Sequence, residues 1–186
     1  LIKTTEIRDV EDDASRFVRD QEGSETVSQV GHVLSYDTRD NRSDPTEGFF
    51  ASIGNDLAGL GGTVAHLRTN VRGAYYIPVY EDYVLGLIGE GGHIFGLDDD
   101  VGIAERYFVG GNNFRGFARN GIGPRDSDSG DALGGNTYYM GTAEVGFPLG
   151  LPGDLGIKGF VFTDVGSLYG IDDSGSEIVD SSKLRA

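Results

Sequence analysis

The sequence has no cysteine and no tryptophan among its 186 residues, and only one methionine. The absence of cysteine excludes disulfides, zinc–thiolate sites and cysteine nucleophiles. No apolar run reaches the roughly 18 residues that a membrane-spanning helix requires, so α-helical spans are excluded. Basic residues are scarce, since 15 Lys and Arg stand against 30 Asp and Glu, and the formal net charge is −15. This charge disfavours nucleic acid as a partner, because phosphate binding requires a basic surface.

Glycine and alternating segments are abundant instead. The chain has 31 Gly, more than twice the usual share of roughly 7%. The clearest alternation covers residues 63–77, where one set of alternate side chains is uncharged and the other carries two Arg and a His. Successive side chains of a strand point to opposite faces, so this segment predicts a strand with one uncharged face and one wet face. A long strand in a soluble antiparallel sheet and a membrane-spanning strand both fit this pattern.

Length favours the membrane-spanning alternative. Residues 63–77 exceed the roughly 9–11 residues that a tilted strand needs to cross a bilayer. The mean hydropathy of −0.26 is compatible with this, because a spanning β-strand places only alternate side chains in lipid. Five further segments alternate in the same way, and residues 2–18 contain a weaker strand candidate. The five segments are 26–38, 49–57, 83–95, 136–147 and 155–165.

The connections between these segments are of two kinds. Residues 40–48, 78–82 and 148–154 are short and carry the Pro, Asp and Gly that are typical of turns. Residues 21–24, 59–62 and about 97–135 connect the strands at the other end, and the last of these loops is long. Aromatic residues lie beside the turns, where an interfacial girdle is expected. These residues are Tyr36, Phe49, Tyr75, Tyr76, Tyr80, Tyr83 and Phe147.

Short turns at one end and longer loops at the other predict an all-β, antiparallel, up-and-down transmembrane β-barrel. About six or seven strands are too few for a closed bacterial outer-membrane barrel, which needs at least about eight. We therefore expect residues 1–186 to be a partial barrel domain from a longer protein. The chain also begins at Leu1, without an initiator Met or a signal peptide.

The long loop is unusual enough in length to predict a function. Its centre reads YFVGGNNFRGFARNGIGPRD and contains Phe114-Arg115-Gly116-Phe117. Two further segments follow it along the chain. Gly134-Gly135-Asn136 leads to Ala143-Glu144, and the sequence FTDVG covers residues 162–166.

These three segments resemble motifs of the BamA-type outer-membrane assembly factors and their two-partner secretion relatives, the bacterial surface antigen superfamily. Phe114-Arg115-Gly116-Phe117 is similar to the V/I-R-G-F/Y motif of the sixth extracellular loop, which in that family folds back into the barrel lumen. Phe114 stands where Val or Ile is usual. The second segment is similar to the strand after that loop, whose glutamate faces inward, and the third to the F-x-D-x-G of the next strand. The resemblance covers residues 31–166.

The resemblance implies a barrel of about 16 strands in the outer membrane of a Gram-negative bacterium. It implies that the protein folds and inserts nascent outer-membrane β-barrel proteins, working in the lipid bilayer with accessory assembly lipoproteins. The family's POTRA domains, first strands and closing strands are not recognised in residues 1–186. The alternatives are a two-partner secretion transporter, a diffusion porin and a soluble β-domain that binds a partner.

The alternation also predicts a loop anchor. Glu144 and Asp164 lie on the side opposite to the apolar residues of their strands, so both carboxylates point into the lumen. Two such acids repel each other, and the planar guanidinium of Arg115 is suited to hold either or both of them. We expect Gly116, together with Gly110 and Gly111, to permit close backbone approach. The predicted loop-anchor residues are Phe114, Arg115, Gly116, Phe117, Glu144 and Asp164. The alternative is that Arg115 is an exposed loop residue.

No other group of residues predicts chemistry. The three histidines are dispersed and have no metal-ligand spacing. The acidic runs at residues 98–100 and 126–131 are candidate calcium sites, but the second does not fit an EF-hand, and we expect solvated loops there, with weak cation binding as the alternative. No nucleophile–base set and no phosphate-binding loop is present. We therefore expect a protein that is not an enzyme and that has no cofactor and no metal.

Overall fold

The computed structural model of the chain describes residues 1–8, 10–11, 14–150, 157–172, 178–179 and 183–186. A seven-stranded antiparallel sheet forms its main body, and a two-stranded ribbon lies beside it. The sheet contains β1 (Ile2–Ile7), β2 (Gly23–Asp37), β3 (Gly48–Ala58), β4 (His66–Tyr80), β5 (Tyr83–Gly96), β7 (Thr137–Pro148) and β8 (Lys158–Tyr169). The ribbon pairs β6 (Arg125–Asp126) with β9 (Ile178–Val179). Each strand of the sheet pairs with the next along the chain, and β5 pairs with β7 across the long loop.

One face of the sheet is apolar and exposed. Its residues stand opposite one another from strand to strand, as when Tyr75 of β4 faces Leu87 of β5 and Leu87 faces Ala143 of β7. Tyr75 is 51% exposed and Leu87 is 43% exposed. A run of apolar side chains without protein cover is what a lipid-facing surface requires. The predicted antiparallel fold is confirmed, with an uncharged face turned towards lipid and an open sheet rather than a closed barrel.

The strand bounds differ from the predicted ones mainly at β4 and near the N-terminus. β4 extends through Pro78, because a register shift between Pro78 and Tyr80 accommodates the missing N–H. Its turn consists only of Glu81 and Asp82, and Glu81 has a φ of 41°. The candidate strand within residues 2–18 is confirmed only for β1. The first two residues of the strand predicted at 155–165 and residues 151–154 of the predicted turn lie outside the described residues.

A helical turn was missed by the sequence analysis. α1 (Arg16–Arg19) begins after Ser15, whose hydroxyl accepts a hydrogen bond from the Phe17 amide. Serine is favoured at this position because it satisfies an amide that the helix leaves unpaired. In the described residues no helix is long and apolar enough to cross a membrane.

The end of the sheet with the short turns carries aromatic contacts. Tyr36 packs against Phe49 with ring centroids 5.3 Å apart, and Tyr83 stacks on Phe147 at 6.3 Å. The turn between β2 and β3 is held by Asp40, which accepts hydrogen bonds from the hydroxyl and amide of Thr46 and from the amide of Glu47. These bonds keep the pKa of Asp40 well below its ordinary value. Tyr80 also contacts Tyr83 at 6.3 Å, so the aromatic residues predicted beside the turns include three ring pairs in contact.

The long loop, residues 97–136, is a folded element. Two apolar clusters form its core, one of Val109, Phe114, Ile122 and Leu168, the other of Phe17, Ile103 and Leu133. The first cluster lies between the loop and β8, and the second joins the loop to α1. The loop also contains a strand that its sequence did not indicate, because β6 lies within it.

Candidate functional site

Arg115 lies at the centre of the candidate site. Its Nε and Nη2 donate to Oδ2 and Oδ1 of Asp164, both at 2.7 Å, and its Nη1 donates to Oε2 of Glu144 at 3.0 Å. The side chain of Asp164 is 8% exposed, that of Glu144 28% and that of Arg115 38%. The guanidinium therefore connects β7 to β8 through three charge-assisted hydrogen bonds, of which the pair to Asp164 is bidentate.

Three alternate residues of β8 contact the loop. Phe162 lies under Arg115, with the guanidinium carbon 3.4 Å from the ring centroid. Asp164 holds the guanidinium, and Gly166 lies beneath the ring of Phe114, where an added Cβ would come within 2.9 Å of a ring carbon. Side chains two apart in a strand share a face. The F-x-D-x-G spacing thus directs three features towards the loop. These are the ring of Phe162, the carboxylate of Asp164 and the space above Gly166, which has no side chain.

Thr142 is a site residue that the sequence analysis missed. It stands directly opposite Asp164 in the β7–β8 register, and its hydroxyl donates to Asp164 Oδ1 at 2.7 Å. The signal was present, because Thr142 lies two residues before Glu144 and therefore on the same luminal face. Thr142 and Arg115 together occupy both oxygens of the Asp164 carboxylate.

The two phenylalanines of the motif pack against each other. Phe114 is 2% exposed and belongs to the loop core, and its ring meets that of Phe117 edge-on at 5.2 Å. An edge-on pair at this distance is a favourable aromatic arrangement. Phe114 therefore holds the motif by burial, while Arg115 holds it by charge.

The glycines in and before the motif meet the prediction of close backbone approach only in part. Gly116 has a φ of +87°, and a Cβ there would meet nothing within 4 Å. Glycine is required at position 116 because the backbone there is left-handed. The prediction of close backbone approach at Gly116 was therefore wrong. The predicted close approach is found at Gly110, where an added Cβ would lie 2.2 Å from the carbonyl oxygen of Ala118. This contact is between two arms of the loop.

The site is a stable arrangement of charges. The hydrogen bonds that Arg115 donates to Asp164 and then to Glu144 raise the pKa of Arg115 above its ordinary value, so the guanidinium stays charged. A cavity of about 390 Å³ lies beside it, and Arg72 and Glu90 are among its lining residues. Among the described residues no group of three or more His, Asp or Glu is placed to hold a metal ion. The arrangement is suited to holding the loop in place.

The acidic run at residues 126–131 accepts hydrogen bonds from Ser15, the residue before α1. The Ser15 hydroxyl donates to Asp126 Oδ2 at 2.5 Å, and the Ser15 amide donates to Asp131 Oδ2 at 2.8 Å. Asp126 is 5% exposed. The prediction of a solvated loop was therefore wrong for Asp126, because its carboxylate receives hydrogen bonds from a segment distant in sequence. Residues 98–100 are exposed.

The histidines lie apart, as their spacing predicted. His66 is buried at the start of β4. His32 and His93 lie on the lipid-facing side, where His32 Nε2 is 3.4 Å from Asn55 and His93 Nδ1 is 2.7 Å from the hydroxyl of Thr137.

Sequence comparison finds relatives over nearly the whole chain. The Omp85 superfamily domain matches residues 2–186. The chain is 40% identical over 182 residues to the outer membrane protein assembly factor BamA of Neorickettsia risticii. This alignment covers 97% of the chain and 24% of that protein. It is 31% identical over 139 residues to the sorting and assembly machinery component 50 homolog of Mus musculus, covering 73% of the chain and 29% of that protein. The chain spans about a quarter of the length of these curated relatives.

The fold is also found in a solved structure. The crystal structure of BamA from Haemophilus ducreyi lacking POTRA domains 1–3 superposes with a TM-score of 0.71 at 20% identity, covering 79% of this chain and 31% of that one. This likeness confirms the architecture of the sheet. The domain match over residues 2–186 and the 40% identity to BamA of Neorickettsia risticii confirm the resemblance read from the three loop and strand motifs, and the chain belongs to the Omp85 superfamily.

Proposed function

We propose that residues 1–186 are the central-to-late part of the barrel of an outer-membrane protein assembly factor. The complete protein folds β-barrel proteins and inserts them into the outer membrane of a Gram-negative bacterium. The similarity to BamA over 97% of the chain supports this proposal, as does the exposed apolar face of the sheet. On this proposal the process involves no covalent step, and the Arg115 network acts by holding charges.

Within this function, the network fixes the long loop inside the lumen and thereby the shape of the barrel. The observation that carries this role is the bidentate contact of Arg115 with Asp164 at 2.7 Å. A bidentate arginine–carboxylate pair restricts both distance and orientation, so it holds a flexible loop in one position. The partners of the complete protein are then the outer-membrane bilayer, nascent β-barrel proteins and accessory assembly lipoproteins.

The test replaces Arg115 in the full-length protein, in cells depleted of the native copy. Arg115→Ala should lower the amount of folded, heat-modifiable outer-membrane protein at equal amounts of folded factor. Arg115→Lys should be intermediate, because lysine keeps the charge but lacks the planar fork. Arg119→Ala is the matched control, since Arg119 is an exposed arginine of the same loop.

The outcomes separate the proposal from its alternatives. Wild-type assembly by Arg115→Ala at equal abundance would contradict the role given to the network. Loss of export of a single secreted protein, with general outer-membrane assembly intact, would favour a two-partner secretion transporter. A large, ion-selective conductance that persists in Arg115→Ala would favour a diffusion porin.

A further inference from the structure

The loop makes a second set of luminal contacts, ahead of the motif, with β4, β5 and the start of β7. The hydroxyl of Tyr107 donates to Asn70 Oδ1 on β4 at 2.7 Å. The Tyr107 ring meets Tyr138 of β7 edge-on, with centroids 4.6 Å apart. The guanidinium carbon of Arg68 lies 5.2 Å from the Tyr107 ring centroid. One side chain of the loop is thus held by a hydrogen bond, an aromatic pair and a cation–π contact.

Glu105 of the loop adds a charged contact to β4. Arg68 Nη2 donates to the backbone oxygen of Glu105 at 2.5 Å and lies 3.4 Å from its Oε2. The Glu105 side chain is 8% exposed, and His66, 1% exposed, has its Nε2 4.0 Å from Glu105 Oε2. His66, Arg68 and Asn70 are alternate residues of β4, so they share the luminal face.

Gly92 of β5 forms the surface on which Tyr107 lies. A Cβ at Gly92 would come within 2.5 Å of the Tyr107 hydroxyl oxygen and 2.6 Å of a Tyr138 ring carbon. The register places Gly92 directly between Asn70 and Tyr138. Three neighbouring strands therefore contact Tyr107 at one level of the sheet. Asn70 accepts its hydrogen bond, Gly92 leaves space for its side chain, and Tyr138 packs against its ring.

We propose that Glu105 and Tyr107 are positioning residues that form a second loop anchor with Arg68, Asn70 and Gly92. This β4 anchor holds the first arm of the loop, while Arg115 holds its tip on β7 and β8. Gly110 and Gly111 lie between the two anchors with φ values of +128° and +69°, where the backbone tolerates rotation. Loss of Arg115 alone therefore frees the tip but leaves the first arm in the lumen.

The test measures where each part of the loop lies in the full-length, membrane-reconstituted protein. Spin labels are placed at the exposed Ala118 in the tip and at Ala104 in the first arm, each paired with a label at the exposed turn residue Asp82. Pulsed dipolar spectroscopy then gives the two distance distributions. Heat-modifiable migration identifies preparations in which the barrel is folded.

The anchors predict separable changes. Arg115→Ala should broaden the 118–82 distribution at least twofold and leave the 104–82 distribution unchanged. The double variant Glu105→Gln with Tyr107→Phe should do the reverse, and combining all three should broaden both. A single anchor would be revealed if Arg115→Ala broadened the 104–82 distribution as much as the combined variant does, and this result would overturn the proposal.

A glycine pair supplies a second, independent measurement. Gly92→Ala should broaden the 104–82 distribution, because its Cβ occupies the position of the Tyr107 hydroxyl. Gly89→Ala on the same strand is the matched control, since its Cβ would meet only the Met140 backbone oxygen at 4.0 Å. Equal behaviour of the two alanine variants would also overturn the proposal. The effect of the β4 anchor on protein assembly rests on the proposed function. The distance distributions are measured without any client protein, so they test the anchor independently of that function.

Discussion

Replacing Arg115 by alanine should destabilise the barrel measurably. The change removes three charge-assisted hydrogen bonds and leaves Asp164, 8% exposed, with the Thr142 hydroxyl as its one side-chain partner among the described residues. Breaking a fully buried ion pair costs about 3–5 kcal/mol, whereas an exposed pair contributes about 0–1 kcal/mol. Because the Arg115 side chain is 38% exposed, the expected loss lies between these limits, at about 2–3 kcal/mol.

Double-mutant cycles divide this loss between the two acids. Arg115→Ala is combined with Asp164→Asn in one cycle and with Glu144→Gln in the other. We expect coupling of about 1.5–2.5 kcal/mol with Asp164 and about 0.5–1 kcal/mol with Glu144. The order follows from the structure, since Asp164 receives two bonds at 2.7 Å and Glu144 receives one at 3.0 Å while being more exposed.

Urea unfolding of the full-length protein in lipid, followed by the shift in gel mobility, gives the free energies for both cycles. Arg119→Ala should change the unfolding midpoint by no more than a typical surface substitution, about 0.5 kcal/mol. Strict additivity in the Asp164 cycle would refute the reasoning, because residues that share a bidentate contact must be coupled. A stronger coupling to Glu144 than to Asp164 would refute the assigned geometry.

Three other variants test separate contacts. Gly116→Ala should cost about 1–2 kcal/mol in urea unfolding from its left-handed backbone alone, because the space around its Cβ is open. The Ser15 hydroxyl holds the pKa of Asp126 below its ordinary value of 3.8, so this contact stabilises the native state above about pH 4 and is lost as the pH falls through the lowered pKa. The protection of the amides around α1 against hydrogen exchange, measured relative to the intrinsic rate at each pH, should therefore fall in acid, and Ser15→Ala should reduce this pH dependence. Lys158→Ala should change the unfolding midpoint by only about 0–1 kcal/mol, because its pair with Asp44 is exposed.

The sheet could be predicted from alternation because the two faces of each strand meet different surroundings. Residues 63–77 placed Val71 and Tyr75 on one side and Arg68 and Arg72 on the other, and β4 has this arrangement. Strand ends were less predictable. Pro78 was assigned to a turn from its residue type, but a local register shift keeps it in the strand.

The site was predictable where the alternation of a strand sets the direction of a side chain. The same rule that directs Glu144 and Asp164 inward also directs Thr142. Contacts between distant loops carry no such periodic signal. Ser15 lies 116 residues before Asp131, and nothing in either segment alone indicates the other.

The positions of its contacts explain how the long loop can restrict the curvature of the sheet. Adjacent strands twist and coil relative to one another, so the curvature of an open sheet is easily altered. Arg115 attaches the loop to β7 and β8, Tyr107 attaches it to β4, and Ser15 attaches the segment after β1 to the same loop. These attachments join strands that are not neighbours in the sheet. A change in curvature must therefore break at least one of them, and the loop resists deformations that hydrogen bonds between adjacent strands would permit.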